Sequence, residues 1–219
     1  MLPLGDDNSG RRITPIVTYV LIAINVLVFF LELSNGEEFI QRWAFVPTRF
    51  LADPVGDFAT LFTSMFLHAG WAHLLGNMLY LWIFGDNVED RFGHGLFFVF
   101  YILAGLAATF AQLAISLGSS VANVGASGAI AGVLGAYLIM FPRGRVNVLL
   151  GRFVTPMSAL IVIGLWFLLQ IFSQISVFSA GSQEGGGVAY MAHIGGFVAG
   201  VVLTYLLGGK RSALPSTRS

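Results

Sequence analysis

Two side chains that could do nucleophilic chemistry together lie in apolar parts of the chain. Ser127 opens an apolar run that follows Gly125-Ala126, and His193 lies near the start of a later run. A serine hydroxyl becomes a nucleophile when a base such as imidazole lies within hydrogen-bond reach. Polar residues inside a membrane segment are costly, and they are functional candidates by default. We therefore predict that Ser127 and His193 form a reactive pair within a bilayer.

Small residues beside both positions predict that their helices pack closely. Taken alone, Ser127 would more often serve helix packing, and His193 would more often be an interhelical hydrogen-bonding group. Pairs of small residues four positions apart, however, let two helices approach each other. These pairs are Gly128 with Gly132 and Gly196 with Gly200. Because neither apolar segment contains an aspartate or a glutamate, we predict a Ser-His dyad without an acidic third member.

Two further polar residues could stabilise negative charge on a reacting carbonyl. His73 and Asn77 are four positions apart, so their side chains lie on the same face of a helix. Both can donate hydrogen bonds, and the backbone N–H groups at the start of the Ser127 helix could complete an oxyanion hole. The alternative is that His73 and Asn77 only hold helices together. The spacing alone does not decide between these interpretations.

The composition predicts an integral membrane protein. Of 219 residues, 56% are hydrophobic and 10% are charged, whereas soluble domains carry roughly 25% charged residues. The formal net charge is zero, and the basic residues form no patch with interleaved aromatics, so we expect no nucleic acid partner. The absence of cysteine excludes disulfides, thiolate metal sites and thiol nucleophiles. We predict neither a cofactor nor a metal.

Six apolar segments predict an all-α polytopic membrane protein, because a spanning helix needs about 20 apolar residues. The predicted spans lie near residues 13–33, 70–85, 95–117, 127–142, 154–178 and 189–208. We expect a single domain over residues 13–208, with short tails at 1–12 and 209–219. The fourth span is short, so its Ser127 end should stop below the membrane surface beside a polar pocket. Residues 34–69 combine aromatic and charged side chains, as is typical of an interfacial outer loop.

The basic residues predict the orientation of the spans. With six spans both termini share one side, and basic residues concentrate on the cytoplasmic side of membrane proteins. The terminal side would hold Arg11, Arg12, Arg91, Arg143, Arg145, Arg152, Lys210, Arg211 and Arg218. Arg42 and Arg49 remain on the other side. We therefore place both termini in the cytoplasm, with Ser127 opening to the outer side.

Four short motifs contain these candidate residues. They are 68–77 (HAGWAHLLGN), 89–93 (EDRFG), 125–128 (GASG) and 192–196 (AHIGG). In this order and spacing they resemble the rhomboid family of intramembrane serine proteases, over nearly the whole six-span core. The resemblance implies a six-transmembrane-helix bundle in which Ser127 is the nucleophile and His193 the general base. It also implies that the Ser127 N–H, His73 and Asn77 are the oxyanion donors.

The resemblance further implies a substrate that is itself a transmembrane helix, cut near its outer end at a small residue. The expected partners are thus transmembrane proteins and the lipid bilayer, and the expected location is a prokaryotic cytoplasmic membrane. Access would run past the fifth span, and the glycine-rich residues 181–187 suit a mobile cap. The sequence does not determine the oligomeric state.

Two positions depart from the pattern of the family. Rhomboids often carry a Trp-Arg pair shortly before the threonine that matches Thr63, whereas Ala59-Thr60 stands here, so we expect the outer loop to be braced differently. An aromatic residue often sits four positions after the nucleophile and stacks on the histidine, but Ala131 stands here. The sequence therefore leaves the orientation of His193 open.

A second interpretation is a catalytically silent rhomboid-like protein that binds and escorts transmembrane helices. Such relatives usually lose the serine or the histidine, and both are retained here. A membrane metalloprotease is disfavoured because the chain has no His-Glu-x-x-His sequence. We interpret Gln170 and Gln174 in the fifth span as interhelical hydrogen-bonding groups or as groups that snorkel to an interface.

Overall fold

Helices dominate the structure, a computed structural model that describes residues 2–179 and 188–209. In chain order the helices are α1 (Ile16–Asn35), α2 (Glu37–Trp43), α3 (Pro47–Ala52), α4 (Thr60–Thr63), α5 (Trp71–Phe92), α6 (His94–Ile115), α7 (Ser127–Met140), α8 (Ala159–Ser179) and α9 (Tyr190–Leu206). A 3-10 turn, Ser64–Phe66, follows α4. Each predicted apolar segment thus overlaps one helix, although α1 and α5 extend beyond the predicted ends. The predicted cap at 181–187 lies outside the described residues.

Three of the helices, α1, α6 and α8, are long and apolar enough to cross a membrane. Helices α7 and α9 are also apolar but shorter, with 14 and 17 residues. Helix α5 has 22 residues, and its last turns carry Asp86, Glu89, Asp90 and Arg91. Large aliphatic and aromatic side chains cover the exposed surfaces of α1 and α8. Such surfaces suit contact with hydrocarbon.

Helix α7 lies at the centre of the bundle and packs closely against α9. Its residues from Gly128 to Tyr137 are all buried. A side-chain carbon added at Gly196 would overlap the carbonyl oxygen of Gly128, and one added at Gly200 would overlap that of Gly132. The predicted contact between the two glycine pairs is therefore confirmed, and it leaves no room for a larger residue.

The structure also contains a three-stranded antiparallel sheet, which is missing from the all-α prediction. Strand β1 (Leu2–Asp6) pairs with β2 (Arg145–Leu150), which pairs with β3 (Phe153–Ser158). Val146 and Val148 alternate with exposed residues and are fully buried. Gly151, with φ of 60°, permits the tight turn between β2 and β3. The fifth long helix accordingly begins at Ala159 and not near residue 154, and part of the predicted tail at 1–12 is a strand.

Acidic residues at the end of α5 tie the N-terminal part of the chain to the bundle. The buried Glu89 carboxylate accepts hydrogen bonds from the Val17 N–H at 2.9 Å and from the N–H and hydroxyl of Thr18 at 2.7 Å each. These bonds satisfy N–H groups at the start of α1, which have no partner within the helix. Arg11 forms an ion pair of 2.7 Å with Asp86. Motif 89–93 therefore joins α5 to α1.

Asp6 connects the sheet to the helices. Its Oδ2 atom accepts hydrogen bonds from the Tyr137 hydroxyl at 2.7 Å and from the Asn87 side-chain amide at 2.8 Å. Its Oδ1 atom is buried without a hydrogen-bond partner among the described residues. Burial raises the pKa of Asp6 to about 7, because the charged form loses its hydration.

Candidate active site

Ser127 is the first residue of α7, and the irregular segment before it is anchored on both sides. Phe45 and Asn123 exchange two backbone hydrogen bonds of 3.2 and 2.7 Å, and the Gly125 N–H donates to the Ser64 carbonyl at 2.9 Å. Gly125 has φ of 129°, a value that favours glycine. A side-chain carbon at this position would lie 2.8 Å from the His73 ring. Glycine here therefore lets the His73 ring lie directly against the turn that leads to Ser127.

The Ser127 hydroxyl lies within hydrogen-bond distance of His193. The Oγ atom is 2.8 Å from His193 Nε2. His193 lies in the first turn of α9, beside the contact between α7 and α9 that the glycines allow. The structure thus brings together the two residues that the sequence analysis paired.

The other ring nitrogen of His193 contacts a residue that the sequence analysis did not connect to it. His193 Nδ1 lies 2.8 Å from Gln170 Oε1 on α8. The Gln170 amide nitrogen donates to the Trp166 carbonyl one turn earlier, at 3.0 Å. The Trp166 ring also packs on the imidazole, with ring centroids 5.8 Å apart. The one signal in the sequence was the spacing of Trp166 and Gln170, which puts both on one face of α8.

His73 and Asn77 line the same cavity as the Ser127–His193 pair. This cavity has a volume of about 680 Å³, and its lining also includes Trp166. The Ala69 N–H donates to His73 Nδ1 at 3.4 Å, so the ring proton of His73 belongs on Nε2. The amide nitrogen of Asn77 is buried and has no hydrogen-bond partner among the described residues. Among the described residues, no side chain caps the N terminus of α7. The cavity therefore contains donors that could bind a developing oxyanion.

Arg49 braces the segment between α1 and α5. Its guanidinium donates to Asp57 at 2.7 Å and to the Gln41 carbonyl at 2.5 Å, and it also contacts the Ala44 carbonyl. The Thr63 hydroxyl donates to the Trp43 carbonyl at 2.7 Å. The segment is thus held by an arginine that precedes the position of the family's usual Trp-Arg pair.

The acidic and histidine side chains outside this cavity do not form a metal site in the described structure. Within residues 2–179 and 188–209, no group of three or more His, Asp or Glu side chains is placed to hold a metal ion.

Comparison with known proteins identifies the family. Residues 55–210 match the family model of the Rhomboid domain, which is more than half of the chain. The chain belongs to the rhomboid family. The motifs 68–77, 89–93, 125–128 and 192–196 all lie within the matched residues. As a rhomboid with several apolar helices, it is an integral membrane protein.

One rhomboid from a bacterium and one from yeast are similar to this chain. Rhomboid protease GluP of Bacillus subtilis is 32% identical over 198 residues, which cover 89% of this chain and 35% of GluP. Rhomboid protein 1, mitochondrial, of Saccharomyces cerevisiae is 31% identical over 196 residues, which cover 85% of this chain and 51% of the yeast protein. The chain thus spans about a third and about half of the length of these two relatives.

Proposed function

We propose that this rhomboid is an intramembrane serine endopeptidase that uses a Ser-His dyad. The observation that carries the proposal is the distance of 2.8 Å between Ser127 Oγ and His193 Nε2, in a cavity that His73 and Asn77 also line. The protease name of the relative GluP supports the same reaction class. A base at this distance can accept the serine proton as the hydroxyl attacks.

In the proposed reaction, Ser127 Oγ attacks the carbonyl carbon of a peptide bond while its proton moves to His193 Nε2. The tetrahedral intermediate collapses, the C–N bond breaks, and His193 returns the proton to the leaving amine. Water then attacks the acyl-enzyme, His193 takes a proton from that water, and Ser127 Oγ regains a proton as the acid product leaves. The open cavity beside the dyad gives water a route to the ester.

The negative charge of the tetrahedral intermediate would be bound by three donors. We assign this role to His73 Nε2–H, the Asn77 amide and the Ser127 backbone N–H. The support is the position of both side chains in the cavity and the unpaired Asn77 nitrogen. The N terminus of α7 adds a favourable dipole, because a helix carries partial positive charge at that end.

The proposed substrates are transmembrane helices of other proteins. We propose that six helices, α1, α5, α6, α7, α8 and α9, all cross the membrane, with both termini in the cytoplasm of a prokaryotic cell. Helix α7, with 14 residues, covers only about 21 Å at 1.5 Å per residue. Ser127 would then lie below the outer surface and open outward, which suits attack on a helix near its outer end.

A fluorophosphonate probe tests this proposal without knowledge of the substrate. The detergent-solubilised wild type should become labelled on Ser127, and both Ser127→Ala and His193→Ala should lose the label. Thermal unfolding of each variant checks that it is folded. A folded wild type that stays unlabelled would contradict the proposal and favour the silent, helix-binding alternative.

A further inference from the structure

His193 is held by a directional series of hydrogen bonds that crosses three helices. The amide nitrogen of Gln170 donates to the Trp166 carbonyl, which can only accept. Gln170 therefore presents its oxygen to His193, at 2.8 Å from Nδ1. An amide oxygen can only accept, so the imidazole proton belongs on Nδ1. Nε2 is then the unprotonated nitrogen that receives the Ser127 hydroxyl proton.

We infer that Gln170 is the positioning residue of the dyad, a neutral group that fixes the tautomer and orientation of His193 for proton transfer from Ser127. This inference rests on the proposed protease function. In Ser-His-Asp triads a carboxylate holds the imidazole tautomer in this way. No acidic residue does so here among the described residues, and the amide of Gln170 occupies the corresponding place.

The surroundings of Gln170 support this role. Gln170 is 9% exposed and lies on a helix whose other face consists largely of exposed apolar side chains. Both of its amide atoms are paired, with His193 and with Trp166. The Trp166 ring adds a second contact to the imidazole. Helix α8 thus contacts His193 through the Gln170 amide and through the Trp166 ring.

Among the described residues, the titratable side chains that face His193 are His73 from α5 and Tyr190 from α9. Neither is an acid at neutral pH. A glutamate at position 170 would therefore add a negative charge beside the imidazole, at the same distance and with the same shape as glutamine. Such a charge favours the protonated imidazole. It should shift the acidic limb of the pH–rate profile, which a purely structural residue would not do.

The test measures the rate of fluorophosphonate labelling of Ser127 from about pH 5 to about pH 9, the range in which histidine titrates. Gln170→Leu should slow labelling by about tenfold or more, because the tautomer is no longer fixed. Gln170→Glu should recover most of the rate, with the acidic limb moved to higher pH by about one pH unit. Gln174→Leu, one turn further along α8 and also buried, is the matched control and should label like the wild type.

Three outcomes would overturn the inference. Gln170→Leu could label at the wild-type rate, Gln170→Leu and Gln174→Leu could slow labelling equally, or Gln170→Glu could label with an unshifted acidic limb. The glutamate variant keeps the test decisive if the leucine variant does not fold. Failure of the proposed function is distinguishable, because then the wild type itself is not labelled.

Discussion

Asn77 lines the same cavity as Ser127 and buries an amide nitrogen that has no hydrogen-bond partner among the described residues. A buried donor without a partner costs about 1–3 kcal/mol of stability. Folding alone gives no reason to keep such a group. An unpaired donor is useful if it donates only to the oxyanion that forms during the reaction, because catalysis depends on interactions that strengthen in the transition state.

We therefore expect Asn77→Leu to separate activity from stability. Peptide cleavage or fluorophosphonate labelling should fall by about 100-fold, the usual cost of losing one oxyanion donor. Thermal stability should stay constant or rise, because the unpaired donor is removed. Asn25→Leu on α1 is the control, since Asn25 is buried, has an unpaired oxygen and does not line the cavity. If Asn77→Leu were fully active, Asn77 would not be an oxyanion donor.

The contact between α7 and α9 determines where Ser127 and His193 lie relative to each other. The glycines at this contact allow the two helix backbones to pack directly against each other. This packing places Ser127 beside His193. The distance between Ser127 Oγ and His193 Nε2 depends more on the separation of α7 and α9 than on the flexibility of the two short side chains. Small changes at this contact should therefore alter reactivity.

Gly200→Ala should lower both stability and activity. The added methyl group would overlap the Gly132 carbonyl, and overpacking of this kind costs about 1–3 kcal/mol. Gly164→Ala on α8 is the matched control, because no heavy atom lies within 4 Å of its added carbon. Thermal unfolding and the rate of Ser127 labelling check both variants. A Gly200→Ala protein with wild-type stability would show that α9 can shift away from α7 at little cost.

Sequence could predict the helices and the central pair, but only part of their surroundings. Apolar runs locate the long helices, and glycine pairs locate the contact between α7 and α9, because both are local patterns. The sheet escaped prediction because β3 runs directly into the apolar start of α8, and because the partner of β2 on its other side, β1, is distant in sequence. The role of Gln170 depends on which helix lies against His193, which a single sequence does not determine.

At the end of the molecule opposite Ser127 and His193, acidic residues connect the sheet and the N-terminal part of the chain to the helices. Asp6 holds the sheet to α5 and α7, and its pKa is raised to about 7 by burial. A carboxyl group whose pKa is higher in the folded than in the unfolded state favours folding at low pH. That contribution is fully present below the ordinary pKa of 3.8 and is lost as the pH rises through about 7.

We expect Asp6→Asn to flatten this dependence of stability on pH. The amide cannot ionise, so the variant should gain stability relative to the wild type as the pH increases from about 4 to about 7. Thermal unfolding in detergent at several pH values measures the difference. Asp7→Asn is the control, because Asp7 is a neighbouring exposed acid whose pKa is lowered by its hydrogen bonds with Ser9. Parallel pH profiles for Asp6→Asn and the wild type would show that Asp6 does not titrate in this range.

The hydrogen bonds from Ser127 through His193 and Gln170 to Trp166 join only uncharged groups. A membrane potential does work on charges, about 2.3 kcal/mol for each elementary charge that crosses 100 mV. A site whose groups carry no net charge before the reaction therefore does not change in energy with the membrane potential. In the proposed reaction, the positive charge on His193 and the negative charge on the tetrahedral intermediate would form in the same step, close to each other, and would be lost in the same step. Peptide cleavage at this site should therefore proceed at the same rate in energised and de-energised membranes.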